Sequence, residues 1–199
     1  MIWDISYCSS KFAYLLNIFS NLFYILTALF ILKIFKDNKI KDTKSKIFLA
    51  LVFLIGIGSF IWHIYSSKFT FFFDSIPIAI FFVFFLYNLI YKISNKRISI
   101  IVTILFVVLA GLSTLLFQKF NGAQGYIFVL LFFIVVMIFV FFKNRILFNR
   151  LIIIFLLFLT AIIFRQIDLY ACRYFVLGTH FIWHIITSFA IYLLIKSLY

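Results

Sequence analysis

Acidic side chains are nearly missing from this chain of 199 residues: it has five, all aspartate, against 18 lysines and arginines. It also has only one proline, six glycines, two cysteines and three histidines. So little proline and glycine leaves no material for a flexible linker, and a single domain over residues 1–199 is expected. Two cysteines exclude a disulfide framework and allow one bridge at most. Residues 1–11 mix Asp4, Ser6, Ser9 and Ser10 with few apolar residues and lack a basic start, so no signal peptide is expected there and the first helix must itself direct insertion. What the chain does have is apolar mass. At 67% hydrophobic, 12% charged and a mean hydropathy of +1.25, it lies far from soluble domains and belongs in a bilayer.

Inside hydrocarbon every backbone polar group must be satisfied within the protein, so the chain crosses as helices of roughly 20 residues or as a closed barrel. Seven apolar runs have the helical length, near Phe12–Ile34, Ile47–Tyr65, Phe72–Tyr91, Ile98–Phe117, Gly125–Phe142, Leu151–Tyr170 and Phe175–Ile195. They lack the period-two alternation of a barrel. The expected fold is therefore all-α, an integral membrane bundle of seven transmembrane helices. Thirteen of the 18 basic residues fall on the face formed by the first, third and fifth connections and the C-terminus. Lys11, Lys68, Lys119, Arg165 and Arg173 fall on the other. Such clustering in short loops reads as topology rather than nucleic-acid binding. The positive-inside rule then places the N-terminus outside and the C-terminus in the cytoplasm.

That orientation gathers every reactive candidate at the extracytoplasmic face. His180 and His184, four apart at the start of the last run, share one helical face and can offer two imidazoles to one ion. His63 ends the second run, which makes all three histidines of the chain candidate metal ligands. Three nitrogen ligands leave a fourth tetrahedral position open, the pattern of catalytic rather than structural zinc, Zn2+. Asp74, at the start of the third run, is the candidate base. Asp74-Ser75-Ile76-Pro77 also reads as a helix start with Asp74 as N-cap, and the two roles are compatible. Ser59 lies one turn before His63 on the same face, placed to donate to an oxyanion or to a metal-bound water; bonding back to its own helix carbonyl is the alternative.

Other residues carry plainer readings. Arg165 and Asp168, three apart, are expected to form an interfacial ion pair. Gly56 and Gly58 would permit close helix contact. Trp62 and Trp183 are interface anchors or pocket wall. Cys8 and Cys172 fall on the oxidising face, leaving open one bridge from the N-terminal segment to the end of the sixth helix, or two unpaired small apolar residues.

The pattern Ser59-x3-His63, Asp74-x2-Pro77, Arg165-x2-Asp168-x3-Cys172 and Gly178-Thr179-His180-x2-Trp183-His184 resembles the alkaline ceramidase family, within a superfamily of seven-helix membrane hydrolases that includes the progestin and adipoQ receptors. Asn17-x2-Ser20-Asn21 in the first run is a weaker match. The resemblance implies zinc-dependent hydrolysis of the amide of ceramide or a related long-chain acyl amide, giving a sphingoid base and a fatty acid. His63, His180 and His184 would hold zinc, Asp74 would take a proton and Ser59 would support the oxyanion. The implied partner is a membrane lipid. The acidic calcium-binding segment of eukaryotic members has no counterpart in Ser6-Tyr7-Cys8-Ser9-Ser10-Lys11, so the resemblance does not extend to calcium. A non-catalytic lipid receptor with a structural metal is the alternative from a different class.

Overall fold

The computed structural model describes residues 8, 10–116 and 124–199. Asp4, Ser6, Tyr7, Ser9, Phe117 and Lys119, used above, lie outside them. The described residues form eight helices and no strand: α1 (Lys11–Phe19), α2 (Leu22–Asp37), α3 (Thr43–Ile64), α4 (Lys68–Ile93), α5 (Lys96–Leu116), α6 (Gln124–Lys143), α7 (Arg145–Ala171) and α8 (His180–Leu198). With α1 and α2 taken together, seven segments are long and apolar enough to cross a membrane.

The first segment was expected to be one helix, and it breaks at Ser20-Asn21. There the Asn21 N–H reaches the Ile18 carbonyl, one residue short of the α-helical partner. The Asn21 side-chain amide takes over, donating to the Asn17 carbonyl at 2.7 Å. A backbone group that the helix releases inside the bundle thus regains a donor, which is the condition for breaking a helix in lipid.

Short polar caps set most of the remaining boundaries. Asp42 accepts from the Ser45 N–H at 2.7 Å to start α3, and Asn144 accepts from Leu147 at 2.9 Å to start α7. Ser67 and Thr70 bond reciprocally in a capping box that starts α4 at Lys68. That corrects the expected start near Phe72, and with it the reading of Asp74 as an N-cap: Asp74 lies inside the helix. The last helix begins at His180, so residues 172–179 form a loop where Phe175 was expected to open the span.

α8 is the hub, packed against α7, α2, α1 and α4, while α3 packs against α4, α2 and α1. Phe48, Ile55, Phe81, Leu89, Leu151 and Ile195, all almost fully buried, fill the space between them. α5 and α6 stand at the edge, α5 with most of its side chains exposed and α6 with few fully buried. This layout leaves the C-terminal ends of α3 and α7 beside the N-terminal ends of α4 and α8, and the candidate site is there.

Candidate metal centre

Two glycines of α3 determine how near its neighbours can come. A Cβ at Gly56 would meet Tyr24 Cβ at 3.0 Å, so α2 crosses there. A Cβ at Gly58 would land on the Phe73 carbonyl of α4 and lie 3.2 Å from the Asp74 nitrogen. Pro77 has no N–H to bond the Phe73 carbonyl four residues earlier. That carbonyl therefore leans on Gly58, where only a hydrogen stands. Backbone contact at this point brings Asp74 of α4 beside Ser59 of α3, with the hydroxyl within interaction reach of the carboxylate. Asp74 Oδ1 is sealed from solvent and has no hydrogen-bond partner among the described residues.

The start of α8 is fixed from outside the helix. Asp168, 1% exposed near the end of α7, accepts from the backbone N–H groups of Thr179 and His180 through Oδ1, and from Cys8 N–H through Oδ2 at 2.6 Å. A carboxylate at the positive end of a helix is favourable, and three N–H donors offset its burial. Gly178 makes this possible. Its φ of +60° suits glycine, and a Cβ there would run into the Asp168 carboxylate and lie 2.7 Å from Cys8 Cβ. Cys8 and Cys172 form a disulfide, which resolves the alternative left open by the sequence. Asp168 therefore caps the start of α8, a role the sequence reading did not give it.

From this fixed start, His180 and His184 project on one face of α8 toward His63, and all three are buried. One ligand atom from each lies within 4.8 Å of the others. His63 Nε2 and His184 Nε2 are 3.3 Å apart. Two imidazoles sharing a tetrahedral first-row ion with bonds of ~2.0–2.1 Å would have their nitrogens ~3.3–3.4 Å apart. His184 is also held in the tautomer a ligand needs. Its Nδ1 lies 2.7 Å from the Ser20 hydroxyl, which itself donates to the Asn17 carbonyl at 3.1 Å. The hydroxyl therefore accepts from Nδ1–H, and Nε2 keeps its lone pair for an ion. The donor set and its spacing fit a metal.

Arg165 stands within electrostatic reach of Asp74 and all three histidines. Its guanidinium faces the rings of Tyr126 and Trp183, at 5.3 and 6.0 Å. Trp183 also packs on Phe158, and Trp62 on Phe71; both tryptophans are buried among neighbouring rings rather than exposed as interface anchors. The sequence reading brought Ser59, His63, Asp74, His180 and His184 to one place, and they are together. It named Ser20 without a role and missed Asp168 as a cap. Three polar residues at i, i+3 and i+4 within an apolar run, Asn17, Ser20 and Asn21, were the available signal for the helix break.

No curated protein and no solved structure matches the chain. A family model described as Ceramidase matches residues 6–198. Seven membrane-length helices, a buried three-histidine cluster that could hold a metal ion, and a match over nearly the whole chain agree, and the chain belongs to the ceramidase family.

Proposed function

We propose that the protein is a zinc-dependent membrane amidohydrolase that cleaves the amide of ceramide or a related long-chain acyl amide to a sphingoid base, or another amine, and a fatty acid. Family membership supports hydrolysis of ceramide. The single observation that supports the metal-dependent form is the convergence of His63, His180 and His184 beside the Ser59–Asp74 pair. Those histidines would hold the ion, and three neutral imidazoles with one open position suit zinc.

Bound zinc would supply Lewis acidity toward the amide carbonyl and water acidic enough to attack at neutral pH. Asp74 takes the proton from the attacking water on its sealed Oδ1 and later returns it to the leaving amine. While Asp74 is anionic, the Ser59 hydroxyl donates to it. Once Asp74 is protonated that donation is no longer required, and the same hydroxyl turns to the developing oxyanion. A lipid-binding receptor has no need of a base beside a metal site, so this pair favours the enzyme over the receptor.

The substrate's amide would sit at the membrane interface and its chains between the helices. An apolar void lined by Phe82, Phe158, Ala190 and Leu194 lies deeper in the bundle. At about 40 Å³ it must widen to take a chain, and the exposed edge helices α5 and α6 on its wall are the elements free to yield. The loop charges would put the site on the extracytoplasmic face. The test is release of sphingoid base from long-chain ceramide by purified protein. Chelation is expected to abolish turnover and zinc to restore it; turnover indifferent to chelation would refute the reading.

A further inference from the structure

At the end of the bundle opposite the histidines, α2 and α7 flank the last turns of α8, and a cavity of about 400 Å³ opens between them. That volume is within the range of small-molecule sites, ~300–1,000 Å³. Its floor is apolar, with Ile31 and Phe35 from α2 and Ile195 from α8 buried at its base. Its rim is polar and basic, with Asn38 at the end of α2, Arg150 of α7 and Lys196 of α8. More cations surround it. Lys92 and Lys44 lie in the same electrostatic neighbourhood as Arg150, and Lys44 Nζ stands 4.1 Å over the ring of Tyr199, another rim residue. The acids at this end are Asp37 and Asp42. Asp42 is engaged with the Ser45 N–H and the Tyr199 hydroxyl, and Asp37 ends α2 on the exposed surface.

An apolar floor within the membrane beneath a rim of cations has the polarity profile of an anionic amphiphile. We infer that this cavity binds an anionic phospholipid, with the phosphate between Arg150 and Lys196, the rest of the headgroup against Asn38 and Tyr199, and an acyl chain along Ile31 and Phe35. Arg150 and Lys196, two cations from different helices, offer more N–H donors than the two oxygens of a fatty carboxylate can use. A phosphodiester with a hydroxylated headgroup can engage them all. The basic end of the bundle lies at headgroup level, where lysine and arginine attract anionic lipids. The inference is independent of the hydrolase reading and of which membrane face this end occupies.

Native mass spectrometry of the full chain in detergent, with phosphatidylglycerol, phosphatidylcholine or oleate at equal concentration, tests it. Phosphatidylglycerol should be retained at least tenfold better than the other two. The double variant Arg150→Ala/Lys196→Ala should weaken its binding about thirtyfold. Lys143→Ala/Arg145→Ala, at the same end but outside the cavity, should change binding less than twofold. If the alanine pair does not yield folded protein, Arg150→Gln and Lys196→Gln singly should each cost about fivefold. Equal retention of phosphatidylcholine or oleate would overturn the inference. So would a loss in the control pair as large as in the cavity pair, which would mean diffuse surface attraction, or glutamine variants that bind like the parent.

Discussion

The two ends of the bundle use polar residues in opposite ways. At the basic end, cations lie mostly exposed on the end turns of the helices, and the helix starts are capped by neighbours in sequence: Asp42 with Ser45, Asn144 with Leu147. At the histidine end, polar groups are buried, and their partners come from other helices: Ser20 with His184, Ser59 with Asp74, Asp168 with Cys8 and His180. Exposed charge costs little and serves orientation. Buried polar groups in a membrane segment are costly unless several helices supply partners, and that convergence marks a site where chemistry is retained. The edge helices make the same point, since α5 and α6 supply none of those partners.

Substitutions can break or sharpen this contrast. The largest effect is expected from Asp74→Asn, which keeps the shape and the Ser59 contact but removes the base; sphingoid-base release should fall ~10²–10⁴-fold with metal content unchanged. Gly58→Ala comes next. Its Cβ would strike the Phe73 carbonyl and push Asp74 away, so activity should drop about 10²-fold and stability by ~1–3 kcal/mol, read from rate assays and a thermal melt. Ser20→Ala leaves His184 in place but frees its tautomer, and metal affinity measured by competition with a chelator should weaken about 10–100-fold. At the other end the effects should be small and free of chemistry. Lys39 has a φ of +56° in the turn closing α2, where Ile40 N–H reaches back to the Phe35 carbonyl at 2.8 Å. Lys39→Gly should raise stability by ~0.5–1 kcal/mol and leave turnover alone.

The same contrast decides what could be read from the sequence. Seven spans were legible because lipid imposes length and apolar composition on each one. The histidines, Ser59 and Asp74 were legible because such residues are rare in an apolar chain and four-residue spacing fixes a shared face. The capping role of Asp168 was missed because its neighbour in sequence, Arg165, is the obvious local partner. The N–H groups it accepts from lie 11, 12 and 160 residues away, on Thr179 and His180 at the start of α8 and on Cys8 before α1. The break at Ser20 was missed for a related reason: hydropathy runs unbroken through it, and only the side-chain amide of Asn21 makes the interruption tolerable. The start of α4 was misplaced because Asp74 followed by Pro77 imitates a cap, whereas Ser67 and Thr70 already form one.

The central claim is that three imidazoles from α3 and α8 hold one ion. Metal content of purified protein, compared between the parent and His184→Ala in a preparation that still melts cooperatively, tests it most directly. One zinc per parent chain and none in the variant is the expected result. Equal metal in both, or no metal in an active parent, would contradict it.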